Sequence, residues 1–509
     1  MPGSQDSASL NRERRQRDLE SLVAGEHLDV IVIGGGITGV GAALDAAARG
    51  LSVALIERHD LASGTSSKSS RLVHGGLRYL AHGDLRIAWE SARERHLLMT
   101  VVAPHLTRPL PFVGPLTNEF PPAQAAFVRT LLRAADVLRR SAGTPRDLLP
   151  PARRIDAGLC RALAPGVAPR GLRGGIVYWD GQLHDDARLV VAVARTAAAR
   201  GARILTYCDA QLVDEGAVRA RDLLSGDSFE LSASVVINAA GVWAAKLTDA
   251  VRLRPSKGSH VLVDSNRLGD PRAAIQVPVP GDRRRAVLAM PRPDGRVLIG
   301  LTDLPVTASD RIEPSPEEVE FLLDAINRPL EHGLVPDDIV GSYAGLRPLV
   351  HDGRHETTDL SRQHAVIKEP ERRLVTVIGG KLTTYRAMAE DGIDAALSLI
   401  GSAAPPTPTR RLALVGAADR AALRDLRFAP RLIERYGTEA SRIGGADAAQ
   451  SADPLVDGLS ASRAEAVFAV RHEGALTPED VVERRLGLGA VAEERAAALA
   501  AVAQLLEDA

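Results

Sequence analysis

DVIVIGGGITGVGAALDAAARGLSVALIE, residues 29–57, reads as one continuous structural instruction. DVIVI (29–33) has the β-branched density of a buried strand, and GGGITG (34–39) is a tight turn. VGAALDAAARG (40–50) is a helix closed by Gly50, and SVALIE (52–57) is a second strand. Gly34, Gly36 and Gly39 occupy the G-x-G-x-x-G positions: the first allows the sharp turn, the second lets backbone approach a pyrophosphate, and the third lets helix and strand pack closely. Free N–H groups at the helix start favour phosphate, and Glu57, eighteen residues after Gly39, can accept hydrogen bonds from a ribose diol. The expectation is a dinucleotide-binding βαβ unit. Arg58 raises a 2′-phosphate reading that the neighbouring carboxylate disfavours, and the motif by itself does not separate FAD from NAD.

Working outward, the 509 residues carry 63 basic and 64 acidic side chains and are 45% hydrophobic, which describes packed globular domains, two to four at usual domain sizes. A near-zero net charge argues against nucleic acid as a partner, because such binding needs clustered Lys and Arg. Cys160 and Cys208 show no metal-ligand spacing and are expected as small buried hydrophobes, with no metal bound. The first 25 residues, with Arg12, Arg14, Arg15 and Arg17 and no apolar run, are not expected to be a secretory signal. No apolar run reaches membrane-spanning length, so the chain is expected in the cytoplasm or lying on a membrane.

Three more segments carry chemistry. ASGTSSKSSRLVHGGLRYL (62–80) is too polar for core: Thr65, Ser66 and Ser67 can donate to phosphate or flavin edges, and Gly75 and Gly76 let backbone lie against a flat ring. VINAAGVWAA (236–245) and LVTVIGGKLTTYRAMAEDGIDAAL (374–397) repeat the pattern of strand, glycine turn and helix. Several separated units gripping one elongated cofactor is a flavin arrangement.

TSSKSSRLVHGGLRYL, AGLRPL (344–349) and GGKLTTYR (379–386), with YWDGQLHDDARLV (178–190), RPSKGSHVLV (254–263) and VLIGLTD (297–303) between them in order, closely resemble the FAD-dependent, respiratory glycerol-3-phosphate dehydrogenases. The resemblance covers nearly the whole chain. It implies an α/β fold of the amino-acid-oxidase type: a discontinuous Rossmann-like FAD-binding domain, a substrate domain with a mainly antiparallel sheet, and a C-terminal helical domain. The expected boundaries are an N-terminal extension (1–27) and an oxidoreductase region (28–400). Within that region FAD segments fall at about 28–100, 180–253 and 365–400, and substrate segments at about 101–179 and 254–364. A Pro-rich linker (401–411) and the helical domain (412–509) follow.

For the cofactor, the motifs and the resemblance together nominate Gly34, Gly36, Gly39, Glu57, Thr65, Ser66, Ser67, His74, Gly75, Gly76, Ala240, Gly241, Gly379, Gly380, Lys381, Leu382 and Thr383. For the phosphate of glycerol-3-phosphate the resemblance implies Arg78, Tyr79, Arg347, Arg362 and Lys381. Arginine suits a phosphate because its planar fork bonds two oxygens at once and stays charged. Lys381, at a helix opening, would be unfavourable there without an anion such as the phosphate or flavin O2. Removing hydride from C2 calls for a base of near-neutral pKa within hydrogen-bond reach of the hydroxyl, and His260 in KGSH matches a substrate-site histidine of the family. Asp303 is expected either to orient a site group or to stabilise a turn.

The resemblance further implies a membrane quinone (ubiquinone or menaquinone) as electron acceptor, peripheral association with the inner face of the cell membrane, and a homodimer. Oxygen as acceptor stays open at this level, and so does a flavin-binding or tRNA-modifying protein that merely shares the nucleotide turn. PPAQAAFVRTLLRAADVLRRSAG (121–143) puts Phe127, Leu131, Leu132 and Leu138 on one helical side and Arg129, Arg133, Arg139 and Arg140 mostly elsewhere. That pattern fits both an interfacial helix and an amphipathic helix facing the core.

Overall fold

The structure is a computed structural model that describes residues 5–81, 83–117, 122–279, 282–307, 312–350, 363–403, 405–443 and 453–507. Two sheets organise it. In the first, five parallel strands run in the order Leu374–Ile378, Ser228–Asn238, His27–Ile33, Val53–Ile56 and Arg203–Leu205. Ala365–Glu369 adds an antiparallel edge, and the hairpin of Cys208–Asp214 and Ala217–Asp222 joins through Ser228–Asn238. The central strand reads as a near-continuous apolar run because both of its faces are covered. Helices Ile37–Ala48, Asp186–Ala198 and Tyr385–Ile400 pack on one side through Val40, Leu44, Val190, Val193 and Ile393. Leu19 and Leu22, with Val218 and Ala220 of the hairpin, cover the other.

The second sheet has ten strands and is antiparallel throughout except where Ala274–Val279 runs parallel to Thr107–Pro115. Near one end of it, Ser256–Asp264 pairs with Arg296–Gly300 and Ile339–Arg347. Helix Pro316–Asn327 buries Leu322 and Ile326 against one face, and its start is fixed by a capping box between Ser315 and Glu318. Side chains alternate along a strand, so His260, Tyr343 and Arg347 emerge together on the other face.

Several expected boundaries move. The strand Gly175–Leu183 runs through the expected 179/180 boundary, and Leu72–Val73, expected among the FAD segments, pairs with it. The N-terminal extension contains helix Arg12–Val23, docked on the nucleotide sheet, where Arg15 forks onto Asp222 at 2.7 and 3.2 Å. The linker is strapped down where Thr407 donates to Asp45, and just beyond it Leu414 N–H donates to the Val102 carbonyl at 2.9 Å. In the helix Pro122–Ser141 the expected apolar side divides, since Leu132 is buried against Leu116 and Ile176 while Phe127 is exposed. Arg139, expected outside, is buried and bonded to Asp136 and the Thr144 carbonyl. Cys160 and Cys208 are buried free thiols, raised by burial to about 11 and about 12.

The C-terminal helices enclose their own core of Val481, Val482, Ala498 and Val502. They join the nucleotide domain through buried forks: Arg188 on Glu473 at 2.6 and 2.8 Å, Arg195 on Glu439 at 2.6 and 2.8 Å, and Arg485 on Asp60 at 2.7 and 2.8 Å. Among the described residues no helix is long and apolar enough to cross a membrane, and no group of His, Cys, Asp and Glu is arranged to hold a metal ion.

Candidate active site

The glycine turn has the geometry of a phosphate cradle. Gly34 adopts φ +114°, and a Cβ there would meet the Ala239 carbonyl oxygen at 2.6 Å. A Cβ on Gly39 would lie 1.8 Å from the Gly34 carbonyl oxygen, so only hydrogen fits. Gly36 starts the helix without a side-chain cap, and Ile37 N–H donates to Ser66 Oγ at 3.0 Å. The hydroxyl run is thereby held at the positive end of the helix. Glu57 accepts from Gly35 N–H at 2.5 Å and His59 N–H at 2.7 Å, which leaves lone pairs for a diol. Burial pushes the Glu57 carboxyl up, and those two backbone hydrogen bonds oppose the shift. Gly241, Gly379 and Gly380 all take positive φ at the ends of their strands. These residues fit a dinucleotide whose pyrophosphate lies at the helix start.

One segment, Thr65–Tyr79, ties this cradle to the nominated substrate groups. Ser66 meets the nucleotide helix, and Thr65 Oγ1 donates to the Leu346 carbonyl at 2.6 Å, next to Arg347. Ser70 Oγ lies 2.8 Å from His260 Nε2, and Thr383 Oγ1 donates to the Leu72 carbonyl at 3.5 Å. Gly75 N–H donates to Asp180, itself bonded to Arg95 at 2.7 Å. A Cβ on Gly75 would strike that guanidinium at 2.3 Å, so this glycine serves a close approach between neighbouring elements. His74 stacks with Tyr79 at 6.4 Å, and Lys381 Nζ sits 3.5 Å above the Tyr79 ring while donating to Ser91 Oγ at 3.0 Å. The lysine at the helix opening thus has aromatic and hydroxyl partners. Ser67 Oγ donates to the Gly64 carbonyl at 3.5 Å. Arg362 and the side chain of Arg78 lie outside the described residues.

On the facing sheet, Arg347 donates from Nη1 to Ser256 Oγ at 3.1 Å and to Asp303 at 3.2 Å, and from Nη2 to the Thr302 carbonyl at 3.1 Å. Its guanidinium crosses Gly258, where a Cβ would lie 2.0 Å from Nη2. Asp303 therefore orients Arg347. His260 is buried between Gly300 on one neighbouring strand and the ring of Tyr343, stacked at 4.9 Å, on the other. Burial, with Arg347 and Arg71 nearby, lowers its imidazole to about 3, well below the near-neutral value expected of the base, so it is neutral at physiological pH. Nδ1 of His260 meets no hydrogen-bond partner among the described residues.

Sequence reasoning missed Ser70, Tyr343 and Ser91. Period-two alternation in SYAGLR could have placed Tyr343 on the face of Arg347. No local signal marks Ser91, whose partner Lys381 lies 290 positions away.

The family described as "FAD dependent oxidoreductase" matches residues 29–390, and the "C-terminal domain of alpha-glycerophosphate oxidase" matches residues 400–509. Fold and cradle thus define a flavoprotein oxidoreductase whose cofactor is FAD. The chain is 48% identical over 510 residues to glycerol-3-phosphate dehydrogenase 1 of Mycobacterium tuberculosis strain H37Rv, covering 98% of this chain and 99% of that one. It is 38% identical to the glycerol-3-phosphate dehydrogenase of Mycobacterium leprae, over 91% of this chain and 81% of the relative. The solved glycerol-3-phosphate dehydrogenase from Bacillus halodurans, complexed with FAD, superposes with a TM-score of 0.72 at 26% identity, over 98% of both chains. This chain belongs to the FAD-dependent glycerol-3-phosphate dehydrogenase family.

Proposed function

We propose that the chain oxidises sn-glycerol-3-phosphate to dihydroxyacetone phosphate and passes the electrons to a membrane quinone. The observation that carries this reading is a neutral, buried His260 held by Ser70, on the same sheet face as Arg347 and tied by one segment to the nucleotide cradle. Arg347, Arg362, Arg78 and Lys381 bind and orient the phosphate dianion, with Tyr79 beneath the lysine. Asp303 and Ser256 fix the Arg347 fork, so little ordering remains when phosphate arrives. An orphaned buried N–H is rarer than an orphaned lone pair, which favours the tautomer with Nε2–H donating to Ser70. The lone pair of His260 Nδ1 then takes the proton of the C2 hydroxyl. Bound FAD supplies the hydride acceptor, flavin N5, for the C2 hydrogen.

A membrane acceptor has physical support in two neighbouring helices. Pro122–Ser141 leaves Phe127 and Val137 exposed, and Leu85–Leu97 leaves Leu85 and Trp89 exposed, with exposed Arg86, Arg129, Arg133 and Arg140 on the same helices. Apolar side chains interspersed with arginines suit the interface of an anionic bilayer.

The test is anaerobic. Glycerol-3-phosphate added to the yellow holoprotein should bleach the flavin absorbance, and a soluble quinone should restore it. Absence of bleaching would sink the substrate reading, while stoichiometric peroxide in air with no response to quinone would replace quinone by oxygen.

A further inference from the structure

The turn that follows the second nucleotide strand is held from the far end of the chain. Residues 57–64 lead from Glu57 to the hydroxyl run, and Asp60 stands midway. Its carboxylate is buried and accepts three charge-assisted hydrogen bonds: Arg485 Nη2 at 2.7 Å, Arg485 Nη1 at 2.8 Å and Arg484 Nε at 2.6 Å. Burial alone would raise the Asp60 carboxyl, but the arginines outweigh it and hold it below the usual carboxylate range.

The arginines belong to a π-helical turn, Asp480–Arg485, itself tied back at both ends. Arg485 is fully buried, and its Nε donates to the Glu473 carbonyl at 3.0 Å. Asp480 accepts from Arg484 Nη2 at 2.7 Å and from the Tyr207 hydroxyl at 2.7 Å. Tyr207 N–H in turn donates to the His59 carbonyl at 3.0 Å, inside the cofactor turn.

The turn needs that grip. Ala62 sits at φ +61°, a left-handed conformation unfavourable for a residue with a Cβ, while its N–H donates to the Gly35 carbonyl at 3.1 Å. Such a conformation persists where surrounding contacts over-determine it. Gly35 is also the donor to Glu57. Hydrogen bonds thus link Ala62 through Gly35 to Glu57, with Asp60 and Ser66 in the same short stretch.

We propose that Arg484 and Arg485 make the C-terminal helical region a working part of the FAD site: by clamping Asp60 they set the turn that presents Glu57 and Ser66, so that FAD binding and docking of the C-terminal region are thermodynamically coupled. Arg484 and Arg485 are positioning residues, acting through Asp60. The inference goes beyond the proposed reaction and rests only on FAD as cofactor, so it stands or falls independently of substrate and acceptor.

The experiment compares FAD dissociation constants of full-length apoproteins by flavin fluorescence titration. Arg485→Gln and Asp60→Asn should each weaken FAD by about tenfold or more, within the usual range of coupling between linked sites. Arg195→Gln, which breaks the equally buried fork to Glu439 on the same interface, should change FAD affinity by less than about twofold while lowering thermal stability. Parent-like FAD affinity in Arg485→Gln would overturn the proposal, and so would equal weakening in Arg195→Gln. Coupling is reciprocal, so FAD added to the unaltered apoprotein should raise hydrogen-exchange protection of residues 480–487. That measurement needs no substitution, and unchanged protection there also refutes the coupling.

Discussion

Ser70 Oγ and His260 Nε2 are 2.8 Å apart, and the hydroxyl holds the ring of a histidine whose other nitrogen is buried. Removing a positioned base costs about 10²–10⁴-fold, and His260→Asn should slow anaerobic flavin reduction by that order. Ser70→Ala should cost less, about tenfold, and Ser70→Thr should restore most of it. Stopped-flow absorbance separates the three, and a Ser70→Ala rate equal to the parent would remove the serine from the account.

Arg347 is pre-oriented by Asp303 and Ser256, so its contribution should be large and specific to the phosphate. Arg347→Ala should weaken apparent glycerol-3-phosphate binding by about 1.5–3 kcal/mol, the value of a hydrogen bond to a charged group. Glycerol, which lacks the phosphate, should be affected little. Saturation curves for the two substrates decide the matter.

Burial lowers the imidazoles of His105 and His184 to about 3, with lesser repulsion from Arg188 on the first and from Arg108, Arg435 and other cations on the second. A depressed folded-state value means that below about pH 6.5 the unfolded chain binds protons that the native state refuses. Stability is therefore complete above that value and falls as pH drops toward 3, by up to about 1.4 kcal/mol per pH unit for each histidine. Urea unfolding from pH 7 to pH 5 should show the decline, and His105→Gln should flatten it.

The fork between Arg188 and Glu473 is buried, whereas Arg219 and Glu230 meet in solvent at 54% and 72% side-chain exposure. Arg188→Met removes both short hydrogen bonds to a buried carboxylate, leaving it Arg195 Nη1 at 3.8 Å, and should cost about 3–5 kcal/mol. Arg219→Met should change stability by less than about 1 kcal/mol. Equal effects in urea titrations would contradict this division.

If the exposed helices Pro122–Ser141 and Leu85–Leu97 meet a bilayer, Phe127→Glu with Trp89→Glu should reduce co-sedimentation with anionic vesicles, and salt should weaken the parent's binding. Flavin bleaching by substrate should persist in the double variant. Parent-like vesicle binding would direct attention to another surface.

The nucleotide unit was legible because its determinants lie within thirty consecutive residues: strand periodicity, glycine spacing and the terminal carboxylate act locally. The helix Pro122–Ser141 was less legible, since its periodicity gives amphipathic character but not what either side meets. Leu132 went inward, where Leu116 and Ile176 receive it beside Leu77, Val128 and Tyr178, while Phe127 met solvent. The linker resembled a tether in composition, yet its Thr407, and Leu414 just beyond it, find partners that only the folded surface supplies.

By itself the sequence determined that this chain binds a dinucleotide, builds an α/β scaffold and carries cations in motif segments, because period and spacing are properties of neighbouring residues. Only the tertiary structure decided which partner each cation meets and which of them hold domains together. Arg347 and Arg485 look alike as letters, but one crosses Gly258 beside His260 and the other is buried on Asp60, 425 positions away. A guanidinium's role is set by the partner that desolvates it, and that partner is chosen by chain folding across separations that no local pattern encodes.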